Sequence, residues 1–564
     1  MSKDLRQVLL TWSGFLASAA LLSVIQPPIC WSYLAWVAYV PFGLASTSRI
    51  GPRKVLAIAY LCGGLYWLVN LYWIAPITIA GWIALCLYLA ILWPMMAAAI
   101  RYCGSSLVPG SIGLAVVVVG AERLQGFPLG GFYWRLLGHS QYLNTSLIQI
   151  ADTLGAGGVS FLIAMINGLL LDTIRLHKHR RRLVMAQLVL ISAILIGVRV
   201  YGQWRLSQAE RCIQAGPIVA SLQSNVPQSV KRTFKSSDLI FSELSSMGSE
   251  VGHMADLVIW PETSVQAILD QDLWPLLDDL SSHAGQRYDL GLKQQAKANS
   301  CNILVGAYGG RIGQDTDGHW ILDRFNSAFL YRPDGTRDPD RYDKIHLVLF
   351  GEYLPFRHNF RWLYRILMHL TPYNYDYSLE PGTKHTRFTI HPAKGNGPHC
   401  RLAVLICYED TIPDLARKAV LDPNGQKMAD GIVNISNDGW FVRFLEGSQQ
   451  VRPSTELIQH LAACTFRAIE NRVSVVRSVN TGISCIIDPC GRILDGGMYL
   501  SKGMPEQALR RTGLAGIVVD RLPIDTRIAP FSRFGQWLDD LCATAFLACL
   551  GLAGLKHRIG KKKG

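Results

Sequence analysis

The stretch LAVLICYED, residues 402–410, is where the chain first declares its fold. Leu402 to Ile406 are apolar without alternation, and the run is too short for a helix. That is the pattern of a strand buried on both faces. The strand then stops on Cys407 and a polar turn. A cysteine closing an apolar strand is, taken alone, most simply a small buried hydrophobe. Two other places repeat the arrangement with different chemistry. DLVIW (256–260) runs into WPETS (260–264), and SAFLY (327–331), after a PDGT turn, leads to RYDKIHLVLFGEYLPF (341–356). Strand ends are where α/β folds place chemistry. Here they present one acid, Glu262, one lysine, Lys344, and one cysteine, Cys407.

Each has a bland reading by itself. Glu262 after Trp-Pro suits a helix start, and Lys344 suits a surface loop. Together they make a chemical set. A free thiol, with a pKa near ~8.5, holds little thiolate at neutral pH. A carboxylate can take its proton and an ammonium can stabilise the anion. The same ammonium, with the backbone N–H after the nucleophile, can hold a developing oxyanion. The product is a thioester: water would hydrolyse it, and an amine would be N-acylated. A fourth cluster, NISNDGW (434–440), reads either as an Asn/Asp/Gly turn or as a pocket wall bearing Asn437 and Trp440.

Outward from these motifs the text is mixed α/β. Strand-like runs recur at 218–223, 256–260, 302–308, 327–331, 402–407, 431–436, 473–479, 484–488 and 515–520, with helical text such as 453–472 between them. Before residue 202 the character changes. Half the chain is hydrophobic yet 17% is charged, a mixture that suggests a membrane part beside a soluble one. Apolar blocks at 7–25, 31–47, 55–79, 81–100, 107–122, 157–174 and 183–201, and another at 538–555, approach the ~20 residues needed to cross a bilayer. The first is not read as a signal peptide, because a second block follows at once without a clear small-x-small cleavage site. The expectation is a polytopic α-helical membrane domain of about eight spans plus an α/β sandwich domain. The boundaries are 1–201, 202–535 and 536–564, the last a C-terminal span with a basic tail.

Charge orients the blocks. Lys3 and Arg6; Arg49, Arg53 and Lys54; Arg101; Arg175 to Arg182; and Lys556 to Lys563 fall on one side if the spans alternate, while the opposite short loops carry no Lys or Arg. By the positive-inside rule both termini are cytoplasmic and 202–535 is exported. This accounts for the net charge of +14 without nucleic acid. Thirteen cysteines contain no CxxC pair and form no metal signature. Neither a metal nor a cofactor is expected. Seven cysteines fall in 202–535, an odd number, so at least one is unpaired within the chain.

The motifs WPET, YDKIHLVLFGEYLPF, LICYED and NISNDGWF resemble the carbon–nitrogen hydrolase (nitrilase) superfamily, and within it the membrane-bound apolipoprotein N-acyltransferase family. GGFYWRLLGHSQ (130–141), SLIQIADTLGAGGVSFL (146–162), ASLQSNVPQSVK (220–231), CTFRAIENR (464–472) and NTGISCIIDPCG (480–491) extend the likeness to nearly the whole chain. The resemblance implies a nitrilase-type four-layer αββα sandwich. It implies that Glu262 is the general base, Lys344 the oxyanion and orienting lysine, and Cys407 the nucleophile. Glu352, Tyr408 and Glu409 are supporting residues. It also implies the substrates: a phospholipid acyl donor and the N-terminal amine of a diacylated apolipoprotein, with the enzyme in the bacterial inner membrane and its catalytic domain facing the periplasm. Two departures bear on lipid access. Arg232 stands where the family usually has Trp, and Val442 begins a longer stretch, 442–456, where the family continues with Gly.

Other classes fit less of the sequence. A tethered amidase would share the triad but would not need eight spans. A non-catalytic scaffold would be expected to have lost one of the three residues. A transporter would leave the soluble domain unexplained, and the blocks hold few charges.

Overall fold

The computed structural model describes residues 3–103, 108–127, 130–176, 181–227, 234–314, 320–356, 360–369, 377–394, 398–445, 450–499 and 505–562. The chain divides into two compact units, Met1–Ala209 with Ala529–Gly564, and Glu210–Ile528.

In the first unit, five helices among the described residues are long and apolar enough to cross a membrane: Lys3–Val24, Ile79–Tyr102, Ala151–Arg175, Arg181–Cys212 and Trp537–Gly554. Pro52–Asn70 and Gly110–Gln125 are also helical. The apolar block 31–47 is not one helix. It forms a short 3-10 turn, Ser32–Trp36, and a separate helix, Val40–Ser46. Asn167 shows why the break is tolerated. Its Oδ1 accepts the Tyr39 N–H at 2.8 Å and its Nδ2 donates to the Ala35 carbonyl at 2.9 Å. In an apolar setting an unmet backbone group costs several kcal/mol, so a side chain must stand in for the missing helical bonds. The block 55–79 is likewise shorter as a helix, ending at Asn70. Gly120 allows a close crossing: a Cβ there would lie 2.7 Å from the Cys542 carbonyl oxygen of the C-terminal helix.

The second unit is built on two sheets. In the first, β1 (Ile213–Gln223), β2 (Leu257–Ile259), β4 (Asn302–Gln314), β5 (Trp320–Tyr331) and β6 (Arg337–Asp343) follow β15 (Gly497–Tyr499) and β16 (Gly516–Asp525) in the order β15-β16-β1-β2-β4-β5-β6, with β3 (Val265–Ile268) beside β4. In the second, β7 (Arg387–Ile390), β8 (Cys400–Ile406), β9 (Gly431–Ser436), β12 (Ser474–Val479), β13 (Cys485–Ile487) and β14 (Ile493–Leu494) are ordered β14-β13-β12-β9-β8-β7. A two-stranded ribbon pairs β10 (Arg443–Phe444) with β11 (Val451–Arg452). The central strands β1, β2 and β4, and β8, β9 and β12, run parallel.

Why these runs are apolar throughout is visible in the packing. Along a strand successive side chains point to opposite faces. Val404 and Ile406 of β8 share a core with Val219, Leu257 and Leu304 of the other sheet. Ala403 and Leu405 instead pack with Leu461 and Ala468 of the helix Glu456–Asn471. On the first sheet, Ala220, Val258 and Ile303 pack with Leu244 of the helix Phe234–Gly252 and Leu292 of the helix Asp279–Asn299. Each of the nine runs read as strand-like contains or overlaps a strand. The edge strand β6, RDPDRYD, was not legible, because its polar text carries no apolar pattern.

Candidate active site

Glu262 sits in the turn after β2. Trp260 anchors that turn, fully buried, its backbone N–H donating to the Leu304 carbonyl at 2.8 Å. The turn lies directly on the backbone of β4 at Gly306, where a Cβ would stand 2.6 Å from the Pro261 carbonyl oxygen and 2.8 Å from the Glu262 Cα. Lys344 follows β6. Its backbone N–H donates to the Asn326 carbonyl at 2.8 Å, and its side chain is 1% exposed. Cys407 follows β8 in a left-handed conformation (φ 54°) at the start of a 3-10 turn, Cys407–Thr411. Such a backbone is costly for a residue with a Cβ and persists only where the surroundings hold it. Asn434 on β9 helps to do so, donating to the Cys407 carbonyl at 3.1 Å.

The Lys344 ammonium lies 2.9 Å from Glu352 Oε1 and 3.5 Å from Glu262 Oε1. The Asn326 amide donates to both glutamates, at 2.7 Å to Glu262 and 3.1 Å to Glu352. Glu352 Oε2 accepts the Val348 N–H at 2.9 Å. Burial works against the lysine's charge, but Glu352 and Glu262 outweigh it and hold its pKa above the ordinary value. For Cys407, burial pushes the thiol's pKa well up and Glu262 adds to this, while Lys344 and His460 pull it down. The sulfur therefore rests as a thiol under the influence of a carboxylate, an arrangement that suits proton removal during reaction rather than a standing thiolate.

Glu409 ties the lysine loop to the cysteine strand. One oxygen accepts the Ile406 N–H at 2.7 Å and the Tyr342 hydroxyl at 2.8 Å. The other accepts the N–H groups of Ile345 at 2.7 Å and His346 at 2.9 Å. Burial pushes this carboxyl up to about 7 against the pull of those donors. Tyr408 is half-buried, its ring 6.1 Å from that of His346. Asn437 is buried and accepts from the Asn480 amide at 2.8 Å, whereas Trp440 is half-buried. The apolar run after Lys344 splits: Leu347 and Leu354 are buried, while Val348, Phe350 and Phe356 are exposed. Phe360, Trp362 and Ile366, at or on the helix Arg361–His369, are exposed too.

Sequence reading missed Asn326, Gly306 and Tyr342, and placed Asn434 in the NISNDGW cluster without its bond to the Cys407 carbonyl. Asn326 was detectable only as a polar residue beside strand text. Arg232 and residues 446–449 of the 442–456 stretch lie outside the described residues. None of the seven cysteines of 202–535 is in a disulfide. Among the described residues two clusters, Asp410/His460/Cys464 and Asp438/Glu456/His460, bring three possible metal ligands together. In the first, the Arg477 guanidinium lies 2.8 Å from the Cys464 sulfur and 3.3 Å from Asp410, filling the place a cation would take.

A thiol, a carboxylate and an ammonium thus stand at three strand ends of a two-sheet unit, and the comparisons place the chain in a class of proteins. Residues 218–504 match the carbon-nitrogen hydrolase family, and residues 18–169 match the apolipoprotein N-acyltransferase N-terminal domain. An apolipoprotein N-acyltransferase of Geobacter metallireducens is 31% identical over 84% of this chain and 85% of its own length. One from Rhodopseudomonas palustris is 25% identical over 95% of both. An amidase from Nesterenkonia sp. aligns with 57% of this chain and 98% of its own at 18% identity and a TM-score of 0.33. The chain belongs to the apolipoprotein N-acyltransferase family.

Proposed function

We propose that the chain moves an acyl chain from a phospholipid to the N-terminal amine of a diacylglyceryl-cysteine on an apolipoprotein, through a thioester on Cys407. Glu262 removes the thiol proton as the sulfur attacks the acyl ester. Lys344 and the N–H following the nucleophile hold the oxyanion, and the alcohol leaves with a proton from Glu262. The amine then attacks the thioester, Glu262 takes its proton, and the acyl carbon–sulfur bond breaks as the Cys407 sulfur leaves and regains that proton as a thiol. Glu352 and Asn326 orient the lysine, and Glu409 keeps its loop against the cysteine strand. The observation that carries this reading is the Glu262–Lys344–Glu352 cluster, with Glu262 and Lys344 buried, acting on Cys407.

The first unit, with the C-terminal helix, is the membrane part of this reading, in about eight spans. The second unit is an exported four-layer catalytic sandwich, with both termini cytoplasmic. Substrates arrive from the lipid rather than from water. Drawing an acyl chain into water costs ~0.8 kcal/mol per CH₂, and exposed Val348, Phe350 and Phe356 offer the apolar rim such a route needs. An amidase of small soluble amides would have no use for that rim. The test is to incubate the purified protein with phospholipid carrying a labelled acyl chain. Hydroxylamine-labile label is expected on the wild type and none on Cys407→Ala. Label on the alanine variant would overturn the thioester.

A further inference from the structure

Behind the nucleophile lies a fully buried set of charged groups that the mechanism above leaves unused. Asp410 belongs to the 3-10 turn that Cys407 begins, and Asp438 to the turn after β9. Two cationic side chains each reach both. His460, on the helix Glu456–Asn471, places Nε2 2.7 Å from Asp410 and Nδ1 3.3 Å from Asp438. Arg477, on β12, lies 3.3 Å from Asp410 and 3.4 Å from Asp438. Glu456, one turn before His460, adds a second carboxylate 3.3 Å from Nδ1. Cys464, one turn after it, donates its S–H to Asp410 at 2.5 Å. All are at most 2% exposed.

A neutral imidazole has one donor and one acceptor nitrogen. Here both nitrogens face carboxylates, Nε2 within hydrogen-bond distance of Asp410 and Nδ1 3.3 Å from both Asp438 and Glu456. We propose that His460 and Arg477, doubly bridging Asp410 to Asp438, are positioning residues that lock the Cys407 turn against the NDGW turn. The inference rests on Cys407 being the nucleophile. The groups facing His460 are Asp410 after β8, Asp438 after β9, Glu456 and Cys464 on its own helix, and Arg477 on β12; Cys485 of β13 acts on Arg477. Despite its burial, the carboxylates hold the His460 pKa well above the ordinary histidine value. His460 favours the Cys407 thiolate and Asp438 opposes it.

The experiment follows the rate of Cys407 alkylation by iodoacetamide in the full-length protein between pH 6 and 9, read on the Cys407 peptide by mass spectrometry. His460→Gln is expected to slow alkylation about tenfold, roughly one pKa unit. Asp438→Asn should accelerate it, and the double variant, which restores charge balance, should return to within ~3-fold of wild type. A merely structural network would make both single variants change alike and the double variant worse, and that result would overturn the proposal. So would a His460→Gln protein that reacts like wild type. If His460→Gln does not fold, the direction of the Asp438→Asn change decides alone: faster supports the network, unchanged or slower sinks it. Absence of acyl label on wild-type Cys407 would instead remove the underlying reading, which the alkylation rates do not address.

Discussion

Glu262, Lys344 and Cys407 are separable by what their loss leaves behind. Glu262→Gln keeps the hydrogen bond from Asn326 within reach but removes the base, so the acyl-enzyme should not form from phospholipid. Lys344→Ala strands two carboxylates, one buried and one half-buried, and removes an oxyanion donor, a loss typically worth ~10²–10³ in rate. A Lys344→Ala enzyme within a few-fold of wild type in a single-turnover assay would show that the lysine is misassigned. Glu409 makes a pH prediction. Its carboxyl titrates at about 7 and accepts four donors when ionised. Acyl-enzyme formation should therefore fall as pH drops through 7. Glu409→Gln should be slower at pH 8 and lack that limb. Stability carries the opposite sign. A carboxyl raised from 4.5 to about 7 on folding favours the folded state fully below pH 4.5. That contribution declines as pH rises and is lost by about 7. Thermal midpoints should drift down from about pH 4.5 to about 7 and level off above it.

At the scale of elements, the catalytic turns are held by strands as well as by each other. Gly306 is the clearest case, since β4 supports the Glu262 turn through bare backbone. Gly306→Ala should cost ~1–3 kcal/mol by overpacking. It should also slow acyl-enzyme formation by up to ~10²-fold, because small displacements of a base are expensive, although no reacting group changes. Normal turnover in a Gly306→Ala protein would mean that the turn relaxes freely. The same logic explains the first unit, where Asn167 replaces the hydrogen bonds missing between Ser32–Trp36 and Val40–Ser46. Apolar composition alone read that block as one span.

For the whole molecule, orientation and lipid access are the testable points. A reporter enzyme that works only in the periplasm should be active when fused after about residue 215 and inactive when fused after Lys563; the reverse would overturn the charge argument. For lipid access, Phe350 and Phe356 are exposed and have positive φ, 62° and 72°. Asp tolerates that backbone region better than an aromatic residue does, so Phe350→Asp and Phe356→Asp should fold. They should weaken acylation by phospholipid yet spare alkylation of Cys407 by a small soluble reagent. Equal loss of both reactions would make the rim structural.

What the sequence determined by itself was local. Apolar runs without alternation read as buried strands, because both faces of β8 and β9 are covered, and three polar motifs at strand ends marked the acid, the lysine and the cysteine. Hydropathy found the helical blocks, while how far each continues as a helix depended on partners such as Asn167. Only the tertiary structure decided what holds the chemistry in place. Asn326 bonds Glu262 across 64 residues, and Tyr342 bonds Glu409 across 67. His460 reaches Asp410 across 50. These ties join strands and helices that are neighbours in the folded sheets and strangers along the chain. No local pattern encodes them, because a buried polar residue reveals its purpose only through the partner that folding brings to it.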